Sequence, residues 1–419
     1  MLAKDQSNNK GFDHEIREIY QERNAKMLIS KPKKNSDGLL ISHILWLVVA
    51  IVASMTTTLV VISWYNPIKS STPENRLKPV LVTSESSINE VVNKLSSASV
   101  VIFAKQSVAA KNPTWQQTYL ISKALGHGVV LSSDGWLVST NEVVSDLTKK
   151  YVVAVADGAM YEAEVLIKDP ATPFVYLKIS AANLTPAAFS RSDDINLGDS
   201  VIVLATATQS LERSVLINKI TAHDSVGTIK NAASLVKNSN IVSDVYNLST
   251  QLPSNFIGAP VVTLAGKIIG LIISRDGAAK YLSPLETLDI VIDGLFSSQQ
   301  INRPALGVNY VTLGAVTAYS SANLNLPKDG ALLVSNGNLL AVEAKSSAAA
   351  SGLKEGDVIT YVAGERVNGT RSLSYLLQQY KPGTRLVLKI WRDGKEREVE
   401  VKLGEIVSQA PAASVEVKK

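Results

Sequence analysis

Few side chains in this sequence could carry out nucleophilic catalysis. Acyl transfer by a serine needs a histidine that takes the hydroxyl proton and a carboxylate that orients the imidazole. The candidates for such a set are Ser254, His127, and His223 with its neighbour Asp224. Ser254 has no evident partner in the sequence. Outside a catalytic role, we expect His127 to be a turn residue and His223 to be a surface-loop residue.

Metal and cofactor chemistry is not indicated by the composition. The chain has no cysteine, which excludes disulfides, thiol catalysis and cysteine-based zinc sites. Its four histidines show no metal-ligand spacing. Lys and Arg number 42 against 37 Asp and Glu, and this small excess is spread along the chain instead of forming one basic block. We therefore predict no metal, no cofactor and no nucleic-acid partner.

A long apolar segment near the N-terminus predicts a membrane anchor. Residues 39–65 contain no Asp, Glu, Lys or Arg, and as a helix they are long enough to cross about 30 Å of hydrocarbon. Lys31, Lys33 and Lys34 precede the segment, so the positive-inside rule places the N-terminus in the cytoplasm. We predict a cytoplasmic tail over residues 1–38, a transmembrane helix over 39–65, and main domains outside the cytoplasm, periplasmic or at the cell surface of a bacterial type.

The rest of the 419 residues is long enough for two or three folded units. Residues 66–86 are rich in Ser, Thr and Pro and predict an extended linker. Residues 87–298 alternate short β-rich runs with turn signals, which indicates an antiparallel barrel or sandwich. Residues 301–405 carry fewer strands, one helix and a hairpin turned at Asp393-Gly394. Residues 406–419 predict a disordered tail.

Several ordered motifs carry a family resemblance. They are Gly126-His-Gly128, Asp134-Gly135, Ser139-Thr-Asn-Glu-Val-Val144, Asp169-Pro-Ala-Thr-Pro-Phe-Val175 and Asn255-Phe-Ile-Gly-Ala-Pro260. In this order they resemble the high-temperature-requirement (HtrA-type) serine proteases, over roughly residues 88 to 405. The resemblance implies a mainly β fold in which a trypsin-like double β-barrel is followed by an α+β PDZ domain, with an N-terminal transmembrane helix.

The resemblance also locates the catalytic triad, and all three of its residues are replaced. Glu142 stands at the histidine position, Pro173 at the aspartate position and Ile257 at the serine position. Ile257 has no proton to give, and the side chain of Pro173 accepts no hydrogen bond. Asn255 and Phe256 further replace the Gly-Asn pair that precedes the serine in the family. The sequence therefore predicts a trypsin-like fold without a catalytic residue.

The PDZ unit is the stronger candidate for function. PDZ domains bind an extended peptide as an added strand, and the backbone of a loop holds its terminal carboxylate. The resemblance implies that Ala305, Leu306, Gly307 and Val308 form this loop and the start of the next strand. It also implies that a helix lies beside the groove, with the apolar residues Leu373, Leu376, Leu377 and Tyr380. Some of these leucines must be core residues, because their three-four spacing is what burial alone requires.

Three functions remain open from the sequence. The first is a membrane-anchored pseudoprotease that binds unfolded segments or polypeptide C-termini as a scaffold or quality-control regulator. The second is a residual or rewired serine endopeptidase of the HtrA type. The third is a non-catalytic subunit of a mixed oligomer, since active family members commonly form trimers, so a homo- or hetero-trimer is expected there.

Overall fold

The structure is a computed structural model that describes residues 49–51, 54, 85–106, 119–190, 195–206, 213–224, 231–275, 277–285, 287–315 and 326–409. The chain divides into two compact units, residues 1–81 and 82–419. The predicted tail and nearly all of the predicted transmembrane segment and linker lie outside the described residues. Within the described ranges, no helix is long and apolar enough to cross a membrane. The anchor therefore remains a prediction.

Six antiparallel strands close the first barrel. Most residues of these strands are β-branched or otherwise apolar, and β2, β3 and β4 are buried along their whole length. Such continuous burial is expected where a small barrel fills its own interior with side chains. The order around the barrel is β1-β2-β3-β6-β5-β4. The strands are β1 (Ser99–Ala104), β2 (Gly126–Val130), β3 (Trp136–Thr140), β4 (Tyr151–Ala154), β5 (Met160–Lys168) and β6 (Phe174–Ile179).

Six further strands close the second barrel in the order β10-β13-β12-β11-β7-β8. A short strand, β9 (Lys237–Asn238), lies between β8 and β10 in the chain but takes no part in this barrel. The barrel strands are β7 (Ser200–Thr206), β8 (Arg213–Asp224), β10 (Val245–Leu252), β11 (Pro260–Thr263), β12 (Ile268–Arg275) and β13 (Ala278–Pro284).

Two amphipathic helices pack on the barrels. Helix α1 (Glu85–Ser96) buries Leu95, and helix α2 (Leu288–Ser298) buries Leu288, Val291 and Leu295. The three-four spacing of these apolar residues puts them on one face of the helix. They share one hydrophobic core with side chains from both barrels, including Trp136. The helices therefore join the two barrels into one body.

A smaller C-terminal unit follows the barrels. Its main sheet has the order β20-β19-β17-β16-β15-β9, with β18 paired to β17, and a separate pair joins β14 to β21. The unit's strands are β14 (Gln300–Ala305), β15 (Asn309–Thr312), β16 (Ala331–Leu333), β17 (Val358–Val362), β18 (Glu365–Arg366), β19 (Arg385–Arg392), β20 (Lys395–Lys402) and β21 (Gly404–Gln409); its helices are α3 (Ser347–Ala350) and α4 (Leu373–Leu377). The predicted mainly β architecture of a double barrel and an α+β unit is confirmed.

A buried ion pair joins the first barrel to the C-terminal unit. Arg303 on β14 donates from Nε to both carboxylate oxygens of Asp169, at 3.1 and 3.2 Å, and from Nη1 to the carbonyl of Thr287 at 3.0 Å. The side chains of Arg303 and Asp169 are both fully buried. The Asp169 carboxylate also accepts a hydrogen bond from the backbone N–H of Ala171 at 2.9 Å. The pair therefore satisfies charges that would otherwise be costly to bury.

Candidate functional site

The positions predicted for the histidine and aspartate of a triad lie on one cleft. Glu142 and Pro173 both line this cleft, whose volume is about 480 Å³. The Glu142 carboxylate accepts a hydrogen bond from the backbone N–H of Ser274 at 2.8 Å. Partial burial raises the pKa of Glu142, although the bond from Ser274 opposes that shift. Glu142 is therefore bonded to the second barrel, and its partner there is a backbone amide.

Ile257, at the position predicted for the serine, is a packing residue. Its half-buried side chain contacts the cores of both barrels. It follows a 3₁₀ turn over Ser254–Phe256, and its N–H donates to the carbonyl of Ser254 at 3.2 Å. An oxyanion hole needs N–H groups free to face the developing charge, and the N–H of Ile257, at the nucleophile position, is already paired within the protein.

His127 does not lie in a turn, as the sequence had suggested, but in β2, where its side chain is 1% exposed. Its Nε2 accepts a hydrogen bond from the backbone N–H of Thr206 at 2.9 Å. Burial lowers the pKa of His127 to about 4. The imidazole is therefore neutral at pH 7. The expectation of a turn was wrong because the Gly-His-Gly run pairs with β1 as a strand.

His223 is likewise not a surface-loop residue. It lies near the end of β8, and its ring packs against Tyr246 with the centroids 4.8 Å apart. Its Nε2 is 3.7 Å from Oδ1 of Asp244. Within the part of the chain that the structure describes, no hydrogen bond joins Ser254 to either histidine. The three candidates for a displaced triad are therefore not assembled.

The predicted carboxylate loop lies between β14 and β15. Ala305 ends β14, while Leu306 and Val308 are buried in the core of the C-terminal unit. Gly307 has a φ of +79°, and a Cβ there would lie 2.4 Å from the Cβ of Ser346. This position accordingly requires glycine. Because its middle residue takes this left-handed conformation, the loop can point successive backbone N–H groups toward a single ligand.

Three side chains of the predicted groove helix are core residues. Leu373, Leu376 and Leu377 are at most 2% exposed and pack in the same cluster as Leu306 and Val308. Tyr380 follows α4 and is half-buried against that cluster. The structure thus brings the loop and the helix residues together around one core. Tyr380 retains exposed surface beside them.

A segment that sequence reasoning missed lies on the carboxylate loop. Asn240 Oδ1 accepts hydrogen bonds from the N–H groups of Leu306 and Gly307, at 3.0 and 3.1 Å. Ser239 Oγ accepts one from the N–H of Val308 at 3.0 Å. No pattern in the sequence could have indicated these residues, because they belong to an irregular stretch more than 60 positions before the loop.

A buried polar cluster adjoins this segment. Asp244 is 2% exposed and accepts a hydrogen bond from the hydroxyl of Ser372, which caps α4, at 2.6 Å. Burial raises the pKa of Asp244, against the opposing charge of Lys237 and the bond from Ser372. Burial also lowers the pKa of Lys237 and of His223. The charges of this cluster therefore depend on one another.

Two protein-family models match the chain. A trypsin-like peptidase domain matches residues 126–271, and a PDZ domain matches residues 304–403. The first match covers both barrels in part, and the second covers most of the C-terminal unit.

Curated relatives named "Probable periplasmic serine endoprotease DegP-like" are similar in sequence. The protein of Chlamydia pneumoniae is 31% identical over 292 residues, which are 68% of this chain and 55% of the relative. That of Chlamydia muridarum (strain MoPn / Nigg) is 30% identical over 293 residues, with 68% and 54% covered. That of Bartonella henselae is 28% identical over 288 residues, with 67% and 53% covered. The chain spans about half the length of the curated relatives it matches.

Solved structures share the fold. "HtrA-type protease AlgW with tripeptide" aligns with a TM-score of 0.54 at 21% identity, covering 76% of this chain and 97% of that chain. "HtrA-type protease AlgW with decapeptide" aligns with a TM-score of 0.53 at 22% identity, covering 76% and 98%. At this level of identity, the likeness shows the fold alone.

Proposed function

Because this chain has the trypsin-like peptidase domain and the PDZ domain of the HtrA-type proteases, we propose that it is a membrane-anchored pseudoprotease that binds polypeptide segments or C-termini through its PDZ domain. It would act as a scaffold or a quality-control regulator. The observation that carries the proposal is Ile257. An apolar side chain packed into both barrel cores occupies the position that the family resemblance assigns to the nucleophile.

The surroundings of Ile257 support the loss of catalysis. Serine catalysis needs a hydroxyl, a base within hydrogen-bond reach, and backbone donors for the oxyanion. Ile257 supplies no hydroxyl, and its own N–H is bonded to Ser254. Glu142, at the position of the base, is bonded to the backbone of Ser274. Loss of a complete triad removes the route to an acyl-enzyme.

The PDZ unit supports a binding role. Its loop presents the consecutive N–H groups of Leu306, Gly307 and Val308, all of which donate to side-chain oxygens. A terminal carboxylate is the ligand that such a set of amides is suited to hold. Two of the solved structures that share the fold carry bound peptides, a tripeptide and a decapeptide, according to their names.

The membrane anchor and the compartment are part of the proposal. The apolar residues 39–65 and the lysines before them support a single-pass protein with a cytoplasmic N-terminus. The curated relatives are named periplasmic, which supports an extracytoplasmic place for the barrels and the PDZ unit.

The first experiment asks whether the native chain has serine hydrolase activity. We expect no labelling by a fluorophosphonate probe and no cleavage of casein, because Ile257 stands at the nucleophile position and, among the described residues, no hydrogen bond joins Ser254 to His127 or His223. An active HtrA-type protease such as AlgW serves as the positive control. Casein cleavage that Ser254→Ala abolishes would instead establish the rewired endopeptidase. A variant with Glu142→His, Pro173→Asp and Ile257→Ser tests whether the double-barrel fold still supports catalysis when the triad residues are restored.

The second experiment tests the carboxylate loop. Gly307→Ala is expected to weaken binding of C-terminal peptides at least about tenfold, because the new Cβ collides with Ser346 and displaces the loop amides. Gly337→Ala is the matched control, since Gly337 also has a positive φ but has no atom near the position of a Cβ. Affinities are measured by fluorescence anisotropy with a C-terminal peptide library. Equal affinities for the two variants would contradict the assignment of the loop.

A further inference from the structure

We propose that residues 237–240, called here the internal ligand, occupy the peptide groove of the PDZ unit in the same chain. They hold the groove closed until a polypeptide with a free C-terminal carboxylate displaces them. The inference rests on the proposed function, because it concerns the regulation of that same groove. It is carried by three sets of contacts: a strand pairing, the bonds to the loop, and polar anchors within the segment and beyond it.

The internal ligand pairs with the groove as a bound peptide does. Strand β9 runs antiparallel to β15, with Asn238 directly opposite Asn309. The pairing continues one residue further, where the N–H of Ser239 donates to the carbonyl of Val308 at 2.9 Å. PDZ domains capture an extended peptide by adding it as a strand to the edge of their sheet. The edge strand β15 therefore already has this added strand, and its direction brings the chain toward the carboxylate loop.

At the loop, two side chains take the place of a terminal carboxylate. Oδ1 of Asn240 accepts hydrogen bonds from the N–H groups of Leu306 and Gly307. The hydroxyl oxygen of Ser239 accepts one from the N–H of Val308. Three consecutive loop amides thus donate to two oxygens of neighbouring residues. A free carboxylate would offer two oxygens to the same donors. Ser239 occupies the place of the last residue of a bound peptide, because its own N–H makes the final strand bond.

Polar anchors hold the chain within the internal ligand and a few residues beyond it. Asn238 donates from Nδ2 to Oδ1 of Asn309 at 3.1 Å and to Oε1 of Glu343 at 2.7 Å. Beyond the loop, the buried carboxylate of Asp244 accepts from the hydroxyl of Ser372 at the start of α4. The partners Asn309, Glu343 and Ser372 all belong to the C-terminal unit. The segment is therefore bound along its length.

The chemistry of the contacts indicates what displaces the segment. Asn240 and Ser239 are neutral acceptors, whereas a carboxylate forms charge-assisted hydrogen bonds that are roughly twice as strong. The segment has the advantage of being tethered, since a short tether supplies an effective concentration of about millimolar. A competing peptide must therefore carry a free carboxylate, and its apparent affinity is reduced by the tethered competitor.

Disulfide trapping in the full chain tests the inference without any peptide. The full chain has no cysteine of its own, so Asn238→Cys with Asn309→Cys gives a single defined pair. The two residues form a non-hydrogen-bonded pair of the antiparallel ladder, in which Cα atoms are about 4.5 Å apart, within the range that a disulfide spans. We expect most molecules to cross-link in oxidised glutathione. Asn231→Cys with Asn309→Cys, which are not opposite each other, is the control.

The outcome is read by mass spectrometry of the linked tryptic peptides and by maleimide counting of free thiols. Cross-linking of 238 to 309 well above the control pair supports the internal ligand. Cross-linking no greater than in the control overturns it.

A second experiment, a measurement of peptide binding, tests this inference separately from the proposed function. The probe is a labelled copy of residues 234–239, Ser-Leu-Val-Lys-Asn-Ser, with a free carboxylate, and its C-terminal amide is the control. We expect the Asn240→Ala chain to bind the carboxylate form at least about tenfold more tightly than the unmodified chain, because two competing hydrogen bonds are lost. Asn231→Ala is the control: the Asn231 side chain caps a 3₁₀ turn before the internal ligand, and its loss should leave the affinity unchanged.

The cross-linking and peptide-binding experiments together distinguish a failure of the internal ligand from a failure of the peptide-binding function. A cross-link without peptide binding in any variant leaves the internal ligand in place and overturns the peptide-binding function. Peptide binding that Asn240→Ala does not strengthen, together with an absent cross-link, overturns the internal ligand and leaves the function. If the cysteine pair does not fold, the comparison of Asn240→Ala with Asn231→Ala decides by itself.

Discussion

Replacing Arg303 with methionine is expected to lower the free energy of unfolding by about 3–5 kcal/mol. The substitution leaves the carboxylate of Asp169 fully buried without its counter-charge. Burial by itself lowers the pKa of Arg303, but the attraction of Asp169 outweighs it and holds that pKa above its usual value. The measurement is urea-induced unfolding followed by tryptophan fluorescence, with Trp136 in the adjoining core as a reporter.

The control for this prediction removes the buried charge instead of the partner. In the double variant Arg303→Met with Asp169→Asn, the amide oxygen can still accept the bond from Ala171, and no uncompensated anion remains. We expect the double variant to recover part of the stability that Arg303→Met loses. A loss below about 1 kcal/mol for Arg303→Met, with no recovery in the double variant, would show that the pair is not buried as described.

The second large effect is a pH dependence that one histidine produces. His127 has a pKa of about 4 in the folded protein, lowered by burial, against 6.5 for an ordinary histidine. Below pH 6.5 the unfolded chain binds a proton that the folded chain does not, so stability falls as the pH is lowered and the loss is complete near pH 4. The shift corresponds to about 3 kcal/mol. Above pH 6.5 this contribution is fully present and constant.

His127→Gln tests this dependence, because glutamine keeps an acceptor for the N–H of Thr206 and cannot be protonated. The free energies of unfolding of both proteins are measured at several pH values from 7 to 4. Glu142, Asp244 and His223 also have shifted pKa values, but they are common to both proteins and cancel in the difference. The difference should change by about 3 kcal/mol across this range. A constant difference would refute the assignment to His127.

Local signals were sufficient for much of the fold. The hairpin predicted at Asp393-Gly394 is present, with Arg392 opposite Lys395 and positive φ values of 53° and 77° at the two turn residues. Turn chemistry of this kind depends only on neighbouring residues, so it can be read from the sequence. The runs of β-branched residues that became the barrel strands are equally local signals.

Features that depend on distant parts of the chain could not be predicted. Asp169 and Arg303 are 134 positions apart, and nothing in either motif indicates their pairing. Strand β9 has two residues, too few to show a period of two. It exists as a strand only because β15 supplies its partner. His127 was expected in a turn for the same reason, since only the closed barrel makes Gly126-His-Gly128 a buried strand.

Some residues of the candidate site could be predicted from sequence motifs, and others could be found only in the structure. The loop residues Leu306, Gly307 and Val308 were found through a family motif, which reports backbone geometry. The partners Ser239 and Asn240 act through side-chain oxygens that stand in for a carboxylate, and this substitution has no sequence pattern. Glu142, Pro173 and Ile257 likewise enter through the motif, but their bonding and packing required the structure.

At one edge of the C-terminal sheet the outermost strand is β9, which comes earlier in the chain than four strands of the second barrel, β10 to β13. A fragment that begins at residue 301 therefore lacks β9 and leaves the backbone groups of β15 unpaired along one side. Unpaired edges of this kind recruit strands from other molecules and promote self-association. The same fragment also separates Arg303 from Asp169. Peptide affinities measured on an excised PDZ unit would consequently describe an open groove with a reactive edge, and would exceed those of the intact chain.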